Sequence, residues 1–194
     1  KEYYPAQYEE MKKFIESGRW HISGASWDAT DTLVPSIESA IRNIMLGQDY
    51  YRKEFGVEST DIFLPDCFGF GWTLPAIASH CGLIGFSSQK LQWRNKPFYG
   101  NDKYPFTVGL WQGIDGSTIM MTHGYDYNQR FEDGDLSENK DLLELTGHSP
   151  LHMVYRYYGT GDIGGSPTLE SVRAVEKGLQ GNGPLQIVSA TSDR

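Results

Sequence analysis

The chain has 194 residues, of which 39% are hydrophobic, enough to form one large folded domain with its own core. Its 17 Lys and Arg residues against 25 Asp and Glu give a net charge of -8, and no basic stripe is present, which argues against a nucleic-acid partner. No apolar run approaches the roughly 18 residues of a membrane span, so we expect no membrane partner.

The first half of the chain alternates helical and strand signals. Apolar residues at helical spacing, each series followed by a glycine, predict helices over about 5–17, 37–55 and 73–81. Short apolar runs predict strands over about 20–26, 61–65 and 84–87. The run 61–65 leads directly into a carboxylate, Asp66.

The second half opens on a different signal. Two apolar runs at about 106–111 and 118–123 flank Asp115-Gly116, a dipeptide that favours tight turns, and predict an inserted β-hairpin. The alternation then resumes, with helices expected over about 137–146 and 168–179 and strands over about 152–158 and 185–189. The strand at 152–158 leads into the glycine-rich residues 159–165, which contain Asp162.

This order predicts an α/β fold in which parallel strands carry helices on the outside. We expect residues 1–194 to form a single domain. The polar residues after the strands (Asp66, Lys90, residues 125–128 and Asp162) should then meet on the rim formed by the carboxyl ends of the strands, where such folds place their chemistry.

Asp66 and Asp162 are our candidates for a working pair of carboxylates. The glycines around both permit close approach of a ligand to the backbone. Either aspartate alone has an equally simple structural explanation, because an aspartate after a strand often caps the next helix or holds a turn.

Several motifs resemble glycoside hydrolase family 38, the α-mannosidases. The motifs are Leu64 to Phe70 followed by Leu74-Pro75, Ser88 to Trp93, Gly24 to Trp27 with Asp31 and Pro35-Ser36, Trp111 to Ser117, Tyr127-Asn128, and Gly159 to Thr168. They occur in the family's order and spacing, and the resemblance covers nearly the whole chain.

The resemblance implies a retaining glycosidase built on a seven-stranded (β/α) barrel that uses one zinc ion and acts on mannose-containing glycans. Asp66 matches the nucleophile, which is also a zinc ligand, and Asp162 matches the general acid/base. A retaining enzyme needs one carboxyl ionised and the other protonated. Lys90 is the candidate cation beside Asp66, with an ordinary loop lysine as the alternative. Trp27 and Tyr127 are candidate sugar-binding aromatics, although core packing is the commoner role of an aromatic.

The chain departs from the family pattern at the metal. The family completes its zinc site with a His-x-Asp pair on the first strand and a histidine beyond the acid/base, and neither matches a position here. We therefore expect an incomplete portion of the catalytic barrel, with zinc in the full-length parent but none bound by these residues alone, and no turnover from them. Exposed barrel edges would favour self-association.

Two other classes remain as alternatives. A carbohydrate-binding module on a mannosidase scaffold would keep the acids without doing chemistry. In a metal-dependent deacetylase-like barrel, Asp66 would serve as a base rather than as a nucleophile.

Overall fold

The computed structural model describes residues 1–90, 107–124 and 128–194. These residues form a mixed α/β fold with a four-stranded, mostly parallel sheet of order β1-β2-β4-β3. The strands are β1 (Asp61–Phe63), β2 (Gly85–Ser88), β3 (Val108–Gln112) and β4 (Thr118–His123). The α-helices are α1 (Pro5–Glu16), α2 (Ile37–Phe55), α3 (Leu74–His80), α4 (Lys140–His148) and α5 (Leu169–Gln180). The seven-stranded barrel stays a prediction for the whole protein.

The helices begin and end where local chemistry predicts. Ser36 caps α2 by accepting a hydrogen bond from the amide of Ser39 at 3.2 Å, and Thr168 caps α5 in the same way through the amide of Ser171. Gly56 ends α2 in a left-handed conformation, with a φ of 69°, that glycine adopts without steric cost. All five predicted helices are confirmed to within a few residues.

The predicted hairpin is also confirmed. The amide of Gly113 donates to the carbonyl of Ser117 at 2.8 Å, and the amide of His123 donates to Thr107 at 2.9 Å at the other end of the β3–β4 pair. Gly116 has a φ of 84° at the turn, which explains why the Asp-Gly signal identified it.

The described residues divide into two compact units. Unit 1 comprises Lys1–Phe86, Trp111–Ile119 and Thr191–Arg194, and unit 2 takes its described residues from Ser87–Leu110 and Met120–Ala190. The core of unit 1 includes Ile44, Ile62, Leu64, Ile77 and Leu83, all buried. In unit 2, a buried cluster of Leu136, Leu142 and Ala174 lies under Phe131, Val175, Leu185 and Ile187.

The predicted strands at 20–26, 152–158 and 185–189 are wrong, because these segments form no strand. In two of them a side-chain oxygen takes a backbone donor that a strand ladder would use. The amide of Gly24 donates to the carboxylate of Asp61, and the amide of Tyr155 donates to the hydroxyl of Thr107. In the third, Leu185 and Ile187 pack on the helical cluster of unit 2, and the apolar alternation reflects that packing.

In the part of the chain that the structure describes, no helix is both long enough and apolar enough to cross a lipid bilayer.

Candidate active site

Asp66 lies in the turn that follows β1. Ile62 and Leu64 are each 2% exposed and anchor this strand in the core of unit 1. Immediately afterwards the chain turns at Pro65-Asp66 and brings the Asp66 side chain to the surface. A buried strand that ends in an exposed carboxylate gives that carboxylate a rigid support, as a catalytic group requires.

The loop that carries this carboxylate, residues 65–71 and here called the Asp66 loop, packs against residues 30–33. The hydroxyl of Thr32 donates to the carbonyl of Gly69 at 2.8 Å, and the thiol of Cys67 donates to the carbonyl of Thr30 at 3.1 Å. The Leu33 side chain occupies the space beside Gly69, so that an added Cβ there would lie 2.6 Å from Leu33 Cδ1. The two segments therefore form one packed structure.

Trp27 lies a few residues before this segment in the chain, contacts α2 and is 60% exposed. Its amide donates to the carbonyl of Asn43 in α2 at 2.9 Å, and its ring meets the edge of Tyr50 at a centroid distance of 5.5 Å. Asn43 also bonds both backbone groups of Asp28 through its side-chain amide. An exposed ring on a backbone fixed to α2 can offer a face to a sugar.

Asp162 lies in an exposed loop, residues 159–165, here called the Asp162 loop. Its φ of 63° is one of two positive values at non-glycine residues among the described residues. Such a backbone is strained for most side chains and tolerated best by Asn and Asp. The amide of Gly161 donates to Oδ1 of Asn128 at 3.3 Å, and the amide of Gly159 donates to the carbonyl of Gln129 at 2.8 Å. Residues 128–129 thus hold the loop next to its aspartate.

The structure describes only some of the remaining predicted site residues. Lys90 is half-buried just after β2, and its amide donates to the Ser88 hydroxyl at 3.3 Å. Tyr127 lies outside the described residues. Asp66 belongs to unit 1, whereas Lys90 and Asp162 belong to unit 2. The pairing of Asp66 with Asp162, and of Lys90 with Asp66, therefore stays a prediction.

One carboxylate that the sequence analysis did not select is buried inside unit 1. Asp61, at the start of β1, is 1% exposed and accepts four hydrogen bonds of 2.6 to 3.0 Å. The donors are the hydroxyls of Ser23, Ser59 and Ser192 and the amide of Gly24. The sequence signal that could have identified Asp61 is an aspartate directly beside an apolar run. Its role is to fix β1, the strand that supports Asp66.

A second aspartate, Asp193, completes this region. Burial acts to raise the pKa of Asp193, but hydrogen bonds from the hydroxyls of Thr191 and Thr60 outweigh burial, and nearby His21 adds to their effect. The pKa of Asp193 is consequently held below the usual value for aspartate.

The zinc implied by the resemblance needs about four ligands at a structural or catalytic site. Within residues 1–90, 107–124 and 128–194, no three His, Cys, Asp or Glu side chains come together as a metal centre. Asp66 is the one described residue for which we predict a ligand role. The described donor set alone does not fit a zinc site.

A comparison with protein families finds the glycosyl hydrolases family 38 N-terminal domain, whose model matches residues 1–193. Alpha-mannosidase G of Dictyostelium discoideum is 37% identical over 179 residues, 89% of this chain and 15% of that protein. The Alpha-mannosidase of Saccharomyces cerevisiae is 31% identical over 165 residues, 84% of this chain and 15% of that protein. The chain thus spans about 15% of the length of these curated relatives.

Solved structures agree on the fold. An alpha-mannosidase from Enterococcus faecalis superposes with a TM-score of 0.58 at 20% identity, covering 91% of this chain and 20% of that one. A 4-alpha-glucanotransferase from Thermococcus litoralis superposes with a TM-score of 0.56 at 15% identity, covering 82% of this chain and 24% of the other. The match over nearly every residue decides the family: this chain belongs to the glycosyl hydrolases of family 38, as part of their N-terminal domain.

Proposed function

We propose that the chain is the catalytic region of a retaining α-mannosidase, which removes terminal α-linked mannose from glycans in the full-length protein. The observation that carries the proposal is the exposed carboxylate of Asp66 at the end of the buried strand β1, in a chain that matches family 38 over residues 1–193. We propose further that residues 1–194 form one incomplete portion of a seven-stranded barrel. Self-association through exposed strand edges would follow from that incompleteness.

The proposed reaction has two displacement steps. The ionised Asp66 carboxylate attacks the anomeric carbon and forms a glycosyl ester, while the carboxylic acid of Asp162 gives its proton to the departing glycosidic oxygen. Water then attacks the same carbon, Asp162 takes a proton from it, and Asp66 leaves as a carboxylate. The anomeric configuration is inverted twice and so retained. This chemistry requires the two carboxyl groups to lie about 5–5.5 Å apart.

Three side chains are assigned supporting roles in this proposal. Lys90 would provide positive charge near Asp66 and favour its ionised form. Trp27 and Tyr127 would contact the sugar, and the 60% exposure of Trp27 leaves its ring accessible to one. Zinc belongs to the proposal for the full-length protein, with Asp66 as its ligand from this chain. When bound, the ion would hold and polarise sugar hydroxyls.

The first test is hydrolysis of an aryl α-mannoside by the full-length protein and by its Asp66→Asn variant. We expect kcat to fall by about a thousandfold or more, because Asn cannot form the ester. Asp49→Asn is the matched control, since Asp49 is an exposed aspartate of α2 that pairs with Lys53.

Two outcomes would count against the proposal. Binding of mannosides without hydrolysis by the unaltered protein would favour a carbohydrate-binding module. Activity of the Asp66→Asn variant within tenfold of the unaltered enzyme would overturn the nucleophile assignment. For residues 1–194 alone we expect no turnover.

A further inference from the structure

We infer that Thr32 is a positioning residue that sets the place of the Asp66 carboxylate through the carbonyl of Gly69, and this inference rests on the proposed function. The two residues are 37 positions apart, and the Thr32 hydroxyl donates to the Gly69 carbonyl at 2.8 Å. Thr32 is assigned no contact with the sugar. It acts on the chemistry through the loop.

The Asp66 loop needs such support because it has no regular structure of its own. Gly69 has a φ of 148°, a conformation that L side chains rarely adopt. The hydroxyl of Thr32 fixes the orientation of the Gly69 peptide. The Cys67 thiol bond to Thr30 and the Leu33 side chain beside Gly69 come from the same short segment.

The supporting segment is itself held in place. The carboxylate of Asp31 accepts a hydrogen bond from the amide of Leu33 at 2.7 Å and closes a tight turn around Thr32. A few residues later Ser36 caps α2. The position of the Asp66 loop is thereby tied to a 19-residue helix through a chain of hydrogen bonds and covalent backbone.

Loss of this bond should affect the chemical step more than substrate binding. A reacting group displaced by about 1 Å can cost about a hundredfold in rate, because the near-attack geometry is lost. For Thr32→Val we expect kcat to fall by about 10- to 100-fold while KM changes by less than about threefold. Thr32→Ser retains the hydroxyl and should restore kcat to within about threefold of the unaltered value.

The experiment measures kcat and KM of the full-length protein on an aryl α-mannoside. Thr146→Val is the matched control, because Thr146 donates a bond of 2.7 Å to the carbonyl of Leu142 inside α4 and is likewise half-buried. It removes one hydroxyl-to-carbonyl bond and should leave both constants within about twofold. Thr32→Ala is a second variant without the hydroxyl. Unlike Thr32→Val, it does not place a methyl group against the Gly69 carbonyl.

Each outcome decides the inference. It is overturned if Thr32→Val and Thr32→Ala retain the unaltered kcat, if Thr32→Ser is as slow as Thr32→Val, or if neither hydroxyl-free variant folds. Failure of the proposed function looks different, since the unaltered full-length protein would then release no aryl group at all.

Discussion

The Ser192 hydroxyl donates a 2.8 Å hydrogen bond to the buried carboxylate of Asp61, joining residues 131 positions apart. Ser23, Gly24 and Ser59 donate to the same carboxylate. A buried charge is costly unless hydrogen bonds replace the water it loses. The four donors meet this need, and three of them connect β1 to residues 23–24 and to Ser192.

Replacing Asp61 with Ala should therefore destabilise unit 1 strongly. The change leaves buried donors without an acceptor, and we expect a loss of about 3 kcal/mol or more. Amide hydrogen exchange of β1 in the full-length protein should then accelerate by about a hundredfold, since about 1.4 kcal/mol corresponds to tenfold. Asp49→Ala, at an exposed helical position, should change exchange little. Equal exchange in the two variants would contradict the structural role of Asp61.

Alanine substitution at two helical glycines should change the stability of the protein in opposite directions. A Cβ on Gly47 of α2 would lie 2.1 Å from the carbonyl oxygen of Ala25 and 2.6 Å from the backbone of Ser26, whereas Gly147 of α4 has no neighbouring atom within 4 Å. Gly147→Ala should stabilise α4 by about 0.5–1 kcal/mol, because alanine is the better helix former.

Gly47→Ala should instead destabilise by about 2 kcal/mol or more, because α2 must move away from residues 25–27. Thermal unfolding of both variants, with unaltered protein alongside, measures the difference. Gains in both variants would show that α2 does not approach residues 25–27 so closely.

The lowered pKa of Asp193 predicts a defined pH dependence. A carboxyl whose folded-state pKa lies below its unfolded value, about 3.9 for Asp, stabilises the fold above that value and loses its contribution as the pH falls through the folded pKa. Asp193→Asn should thus be less stable than the unaltered protein at pH 7. The difference should shrink as the pH falls below about 4. A difference that persists undiminished at pH 2 would be inconsistent with this assignment.

Asp162→Gly should test the acid role of Asp162 without straining the loop backbone. Glycine adopts the φ of 63° found at position 162 without steric cost, so the loop should keep its backbone conformation in this variant. The same variant should lose most activity on mannosides with poor leaving groups, which need a proton. It should lose much less activity on dinitrophenyl mannosides, whose leaving group needs none. Equal losses on both substrates would argue against an acid role.

The sequence predicted the helices well because their signals are local. Capping by Ser36 and termination at Gly56 involve residues within one or two helical turns, and the hairpin at Asp115-Gly116 is equally local. The prediction of Asp66 after a strand also relied on adjacent residues, and its exposed position after β1 agrees with it.

The errors arose where distant side chains compete for backbone groups. Residues 20–26 have the composition of a strand, but the carboxylate of Asp61 binds the amide of Gly24, and no local pattern could reveal a partner 37 positions away. The contact of Thr32 with Gly69 was missed for the same reason. Both depend on loop packing that only the folded chain displays.

Covalent trapping of the nucleophile tests the central assignment most directly. The full-length protein is incubated with a fluorinated α-mannosyl fluoride, which slows hydrolysis of the glycosyl ester, and its peptides are mapped by mass spectrometry. The assignment predicts one fluoromannosyl group per active site, attached to Asp66. A label on another residue, or steady turnover through an unlabelled enzyme, would contradict it.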